Sequence, residues 1–320
     1  MPSSENRLIS LDVFRGFAIF GMILVNYLGH FDVIPLTFKH PRYGMTFANA
    51  IAPYFVFAVG MGLKMSLARR IEKTGTKKAY LHAIKRYLIL ILIGIVVYGP
   101  DPVTDMWDAL VDIGFAGLIT LPFIMKGKTL RIVFAFLLLT VYQLLFAFTG
   151  YGEWTMANSI DGGPLGTISW ASILVFGTVQ MDYLQEGDPK KFIRKSVYLA
   201  VHLLILGLIL SYLKPPEIWQ FSQRSMTMAY PVFASGLSVI TFVAFYWLAD
   251  RRKLKIPHLR VLGINPLAIY ILQQVLIAFY GDFLPKNATL WQALLGFIAI
   301  YSICYAIAKY LERQGFIIKL

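Results

Sequence analysis

The chain has 320 residues, 58% of them hydrophobic, with 30 Lys and Arg against 17 Asp and Glu for a net charge of +13. A mean hydropathy of +0.64 excludes a soluble domain of this length. The basic excess sits in short clusters between apolar runs, the pattern of membrane-topology signals, so the lipid bilayer is the expected partner and nucleic acid is not.

Ten apolar runs stand out, at about 9–29, 46–68, 84–99, 107–125, 130–149, 165–184, 194–213, 228–249, 261–280 and 289–310. Each is near the roughly 20 residues needed to span a bilayer. The expected fold is all-α, a polytopic membrane bundle of about ten transmembrane helices. No long linker or low-complexity segment divides the runs, so residues 1–320 read as a single integral-membrane domain. No internal repeat is evident, which weakens a transporter built from repeated halves. The third and fourth runs are short, or interrupted by Arg86, Asp108 and Asp112.

The first run, within RLISLDVFRGFAIFGMILVNYLGHFDVIPLTFKH, carries Asp12, Arg15 and Asn26. It has no clear small-residue cleavage site after it and is read as a retained span, not a signal peptide. At about 100° per residue, Arg15 and Asn26 share one helix face to within roughly 20°, roughly 16 Å apart along the axis. Asp12 lies one turn before Arg15 on nearly the same face. Such a stripe is costly in lipid and should face protein or water; alternatively, Asp12 and Arg15 snorkel to the headgroups while Asn26 bonds a neighbouring helix.

In the second run, Pro53 should kink the outer half, Gly62 and Ser66 form a small-xxx-small pair, and Lys64 should snorkel toward the cytoplasm. The ninth run carries Asn265 before Pro266, then Gln273 and Gln274, either interhelical glue or cavity lining. Asn287-Ala288-Thr289 matches a glycosylation sequon close to the membrane.

Counting Lys and Arg in alternate connecting segments gives 23 against 5, with Arg15 and Lys64 inside spans. The positive-inside rule then puts both termini in the cytoplasm and His40 outside. Arg15 falls toward the inner end of the first helix and Asn26 toward the outer end.

The candidate chemistry is sparse. His40 and His30 are the outer-side histidines and either could serve as a general base; His82, His202 and His258 look incidental. Cys304 is the sole cysteine, so no intrachain disulfide or thiolate metal site can form. There is no HExxH, P-loop or GxSxG, so neither a metal nor a nucleoside triphosphate is expected. The residues alone leave three classes open: an enzyme, a transporter or flippase with a polar track along the first helix, and a scaffold whose polar groups only specify packing.

RLISLDVFRGFAIFGMILVN, then FKH, then APYFVFAVG resemble the transmembrane acyltransferase family of heparan-α-glucosaminide N-acetyltransferase. That family opens with R-x-x-S-[LV]-D-x-F-R-G, a VN dipeptide, a histidine loop and a [PW]-F-V-F-x-x-G helix. DGGPLGTISWASILVFG, RSMTMAYPVFASGLSVITFVAFYWLAD and LGINPLAIYIL resemble later family segments more loosely. The resemblance implies acetyl-CoA as co-substrate, entering from the cytoplasm. It places His40 at the catalytic histidine and Asn26 at the catalytic asparagine. The implied activity is transfer of an acetyl group to an amine or hydroxyl of an extracytoplasmic sugar or envelope acceptor, in a multi-pass protein of the cell membrane; heparan itself is not the expected acceptor. A homodimer is a further partner reading. The anionic phosphates of CoA need fixed cations on the inner side, and Arg15, Lys85 and Arg86 are the candidates. The chain departs from the family in four places. Asn49 stands where a D-L-x-x-P segment has Asp, Asp112 where a Q-R-[IL] element is expected, Met226 replaces a usual Trp, and several extra residues separate Asn26 from His40.

Overall fold

The computed structural model describes residues 8–101, 103, 106–159, 161–280 and 283–317. Arg7 and Lys319, counted above among the inner-side charges, lie outside them. The helices are α1 (Ile9–Leu28), α2 (Phe47–Thr74), α3 (Thr76–Tyr98), α4 (Ala109–Thr120), α5 (Lys128–Phe148), α6 (Tyr151–Asn158) and α7 (Gly163–Gln185). They continue with α8 (Pro189–Ser211), α9 (Pro216–Trp219), α10 (Ala229–Phe245), α11 (Pro257–Ile264), α12 (Pro266–Tyr280) and α13 (Leu290–Arg313). No strand forms among the described residues.

Nine of the ten apolar runs each yield one helix, and the ninth run yields two. Among the described residues, eight helices are long and apolar enough to span, α10 being extended by a π-helical turn over Tyr246–Arg251. The ninth run is a broken span: α11 and α12 meet at 91°. Asn265-Pro266 marks the break, because proline offers no N–H to continue the ladder of α11. The fourth run becomes α4, whose 12 residues reach only about 18 Å. Helices α2 and α3 extend further toward their shared turn than their apolar runs do. Lys85 and Arg86 therefore sit in the body of α3, not at its start.

The chain forms two compact units, Met1–Pro41 with Thr46–Phe55 and Thr241–Lys319, and Arg42–Met45 with Val56–Ile240. In the first, α1 packs on α11, α12 and α13. The crossing of α1 and α11 is backbone on backbone. A Cβ on Gly16 would run into the Leu259 carbonyl, and one on Gly263 into the Asp12 carbonyl. Asp250, in the π-helical turn, accepts from the Ser10 N–H at 3.3 Å and so satisfies one orphan donor of the α1 N-terminus. Phe14, Phe17, Tyr54, Phe242 and Phe245 form the aromatic core, with ring centroids 5.2 Å apart for Phe17–Phe245 and 5.6 Å for Phe14–Phe242.

In the second unit, α7 is the central post, packed on α4, α5 and α8. It meets α2 through reciprocal glycines, Gly60 against the Leu174 backbone and Gly177 against the Phe57 backbone. Gly60 makes this approach, whereas Ser66 of the expected Gly62–Ser66 pair is exposed and bonds back to the Leu63 carbonyl at 3.1 Å.

Lys64 does not snorkel. It is 7% exposed, donates to the Ile124 carbonyl at 3.1 Å and lies 3.4 Å from Asp182. Arg131, fully buried, pairs with the same carboxylate and donates to Thr178 Oγ1 at 2.8 Å and the Lys126 carbonyl at 3.1 Å. Asp182 supplies the countercharge that makes burial of Lys64 cheaper than reaching for water.

At the other end of this unit the loops before α7 and α10 are tied together. Gly162 N–H donates to the Arg224 carbonyl at 3.1 Å, Tyr142 hydroxyl to the Ser225 carbonyl at 2.7 Å, and Gln223 Nε2 to Asp161 Oδ1 at 2.7 Å. Burial pushes the Asp161 carboxyl up to about 7, and the nearby Asp108 carboxylate adds to this, against Gln223 and Arg224, which favour ionisation.

Candidate active site

The first unit builds the histidine site on the turn from α1 into α2. The α1 helix stops at Leu28, and the chain folds back so that the Phe38 carbonyl lies beside Gly29, where a side chain would crowd it. A 3-10 turn over Leu36–Phe38 follows. The Asp32 N–H donates to the Lys286 carbonyl at 2.8 Å, anchoring the loop to the segment before α13. The extra residues between Asn26 and His40 are taken up by these turns. Phe38 packs edge-on against Phe47, the first residue of α2, at 5.7 Å.

Thr46 caps α2. Its hydroxyl accepts from the Asn49 N–H at 3.2 Å and donates to the Lys39 carbonyl at 3.0 Å. The cap thus satisfies a helix donor and ties down the residue before His40. His40 Nδ1 lies 2.9 Å from Asn49 Oδ1. A carbonyl oxygen only accepts, so the proton of the neutral imidazole is on Nδ1 and the lone pair is on Nε2. Asn49 is fully buried and His40 is exposed. The arrangement is an exposed imidazole held on one side by a buried amide, a residue type suited to a general base or a nucleophile.

The other expected site residues are distributed. Asn26 is half-buried near the C-terminal end of α1. No hydrogen bond joins it to His40 among the described residues. Arg15 is half-buried on the same helix, and Asp12 is buried. Lys85 is exposed and Arg86 half-buried on α3, in the second unit. Among the described residues no group of three or more His, Cys, Asp or Glu could hold a metal ion.

Asn49 is the residue that sequence reasoning missed as a partner of His40. It registered only as a departure from an expected Asp. The usable signal was its place three residues after Thr46 at a helix start, which turns it back toward the histidine loop.

Comparison with known proteins bears on these residues. The profile described as "Heparan-alpha-glucosaminide N-acetyltransferase, catalytic" matches residues 7–179, more than half the chain. Mouse heparan-alpha-glucosaminide N-acetyltransferase is 36% identical over 101 residues, 31% of this chain and 15% of that protein. The human protein is 36% identical over 97 residues, 30% of this chain and 14% of its own length. An "Uncharacterized 39.9 kDa protein in amylase 3'region" of Bacillus acidopullulyticus is 30% identical over 154 residues, 45% of this chain and 41% of its own. The matches therefore span a small part of the mammalian proteins. His40, Asn26, Asn49, Arg15, Lys85 and Arg86 all fall within the profile match; the looser segments around Met226 and Asn265 fall outside it. The chain, a multi-pass helical membrane protein, belongs to the heparan-alpha-glucosaminide N-acetyltransferase catalytic-domain family.

Proposed function

We propose that the chain is an acyltransferase of the cell membrane that moves the acetyl group of cytoplasmic acetyl-CoA to an amine or hydroxyl of an extracytoplasmic sugar or envelope acceptor. All 320 residues act as one acyltransferase domain in this reading. The observation that carries it is the His40–Asn49 pair, which holds an exposed imidazole in the histidine loop, with Nε2 as the proposed base. In the direct route, Nε2 takes the proton of the acceptor amine or hydroxyl as that group attacks the thioester carbonyl. The Asn26 amide donates to the oxygen that becomes negative, and collapse of the tetrahedral adduct expels the CoA thiolate. In the two-step route, Nε2 itself attacks the thioester carbonyl and the CoA thiolate leaves, giving an acetyl-imidazole whose acetyl group then passes to the acceptor, releasing the imidazole.

Arg15, Lys85 and Arg86 serve the CoA phosphates from the inner side. Arg15→Ala should weaken acetyl-CoA binding by about 1.5–3 kcal/mol, the worth of a charge-assisted hydrogen bond. Titration calorimetry on the folded variant measures this, and unchanged affinity returns Arg15 to a structural role.

The broken pair α11–α12 favours a second reading, because discontinuous helices line the substrate paths of transporters. Isotope-labelled acetyl-CoA with purified, reconstituted protein separates the two. Thioester cleavage with label on an acceptor is expected. Uptake of label into vesicles with the thioester intact overturns the enzyme reading.

A further inference from the structure

A groove of about 400 Å³ lies between α7 and α8, lined by Tyr183, Arg194, Lys195, Tyr198, Leu199 and His202. Its mouth is at the α7–α8 hairpin, which the Lys and Arg bias assigns to the cytoplasmic side. Charge there is unbalanced. Glu186 is shared by Lys128 and Lys195, and both lysines also lie over the Tyr183 ring, at 5.5 and 5.7 Å. Asp188 caps α8 through the Lys190 and Lys191 N–H groups and pairs with Lys191 at 3.8 Å. Both carboxylates of the hairpin are thus committed. Arg194 is exposed and makes no ion pair among the described residues.

From Arg194 a polar stripe climbs α8 at helical spacing, through Tyr198 to His202, about 12 Å along the axis. Tyr198 is 68% exposed and His202 is exposed as well. Their rings stack with centroids 5.1 Å apart, and His202 Nδ1 lies 2.7 Å from the Tyr198 carbonyl, so it is the donor and Nε2 points elsewhere. Polar groups on the outward face of a spanning helix are costly in hydrocarbon unless something polar meets them. Beyond His202 the same face turns apolar and stays exposed, through Ile205, Leu208 and Ile209. A cationic mouth, a polar stripe the depth of a headgroup and glycerol layer, and an apolar track beyond it match one molecule end to end.

We propose that this groove binds an anionic phospholipid of the cytoplasmic leaflet. The phosphate is held by the Arg194 guanidinium, whose planar fork suits phosphate oxygens, with Lys195 beside it. Tyr198 and His202 meet the glycerol-ester region, and an acyl chain lies along Ile205 and Ile209. The phosphates of CoA share the headgroup chemistry but have nothing to lay on the apolar track. The site is independent of the acyl-transfer reading, and its readout is lipid retention.

Native mass spectrometry of the purified full chain, with phosphatidylglycerol or phosphatidylcholine of identical acyl chains, tests the proposal. The wild type should retain phosphatidylglycerol about fivefold over phosphatidylcholine, the scale of one basic contact with an anionic lipid surface. Arg194→Ala should lower that preference, and His202→Ala should lower retention of both lipids alike. Arg194→Lys should restore part of the preference, and Lys190→Ala, outside the groove, should leave it intact. Equal retention of the two lipids by the wild type overturns the proposal without any variant. So does displacement of phosphatidylglycerol by equimolar CoA, which makes the groove a CoA site. A fall in dimer abundance in the variants with retention of both lipids unchanged assigns the stripe to a second copy and likewise overturns it.

Discussion

At the scale of single residues, the proposed chemistry rests on Asn49 and His40. With Asn49 Oδ1 accepting from Nδ1–H, the imidazole is held in one tautomer. His40→Ala should lower turnover by roughly 10²–10⁴-fold, the usual worth of a positioned acid–base group, with acetyl-CoA affinity kept. His30→Ala is the control and should be near normal; the reverse pattern shows that the wrong histidine was chosen. Asn49→Asp is more informative than removal, because it keeps the acceptor and adds charge. A carboxylate stabilises the imidazolium and raises its pKa. The acidic limb of the pH–rate profile should therefore move to higher pH in Asn49→Asp, vanish in His40→Ala, and stay sharp in the wild type. An unmoved limb in Asn49→Asp would mean that the pair does not govern the base.

Asp161 carries a second residue-scale expectation, for stability. Its folded pKa of about 7 exceeds its ordinary value of 3.8 because burial disfavours the charge. Between those values the folded state holds a proton that the unfolded state has released, so stability falls as pH rises from about 4 to about 7 and then levels. Asp161→Asn keeps an acceptor for Gln223 and removes the titration. Its melting temperature should show a smaller drop across this window than that of the wild type, and above pH 7 the variant should be the more stable. Parallel melting curves for the two proteins contradict this.

Among the elements, the junction of α2, α5 and α7 depends on one carboxylate shared by two buried cations. Asp182→Ala leaves Lys64 and Arg131 unpaired in a low-dielectric interior and should cost about 3–5 kcal/mol. Thermal unfolding in detergent should show it; a loss below about 1 kcal/mol, the scale of a surface pair, would mean that water reaches both cations. The sequence could not show this junction, because Asp182 is remote from Lys64 along the chain and only packing of α7 on α2 brings it near. Lys64 therefore read as a snorkelling lysine. His202 read as incidental for a related reason: whether a helical residue faces protein or lipid is decided by neighbours, not by its own spacing. What was legible were the ten apolar runs and the histidine loop with its motif; the break at Asn265-Pro266 was not, because the ninth run read as one span. The close crossings at Gly16–Gly263 and Gly60–Gly177 were not, since a glycine announces a close approach without naming its partner.

For the whole molecule, orientation decides whether transfer across the membrane is possible. The 23-to-5 bias predicts His40 outside. Contacts within each unit agree with the alternation of sides. The His40 loop meets the segment before α13 through Asp32 and Lys286, and the segments before α7 and α10 meet through Gly162 and Arg224. Each pairs two segments that the count assigns to the outer side. At the other side, Glu186 joins Lys128 and Lys195, and Arg260 lies 3.5 Å from Glu312. A chain inserted the other way up would keep all these contacts, so labelling must decide. With the buried Cys304 changed to Ser, Lys39→Cys places a thiol beside His40 and Lys191→Cys places one at the α7–α8 hairpin. An impermeant thiol reagent added to intact cells should label position 39 and leave position 191 unlabelled until the membrane is opened. The opposite pattern would put His40 with the CoA pool, remove any need for the acetyl group to cross, and leave the polar stripe of α1 as packing alone.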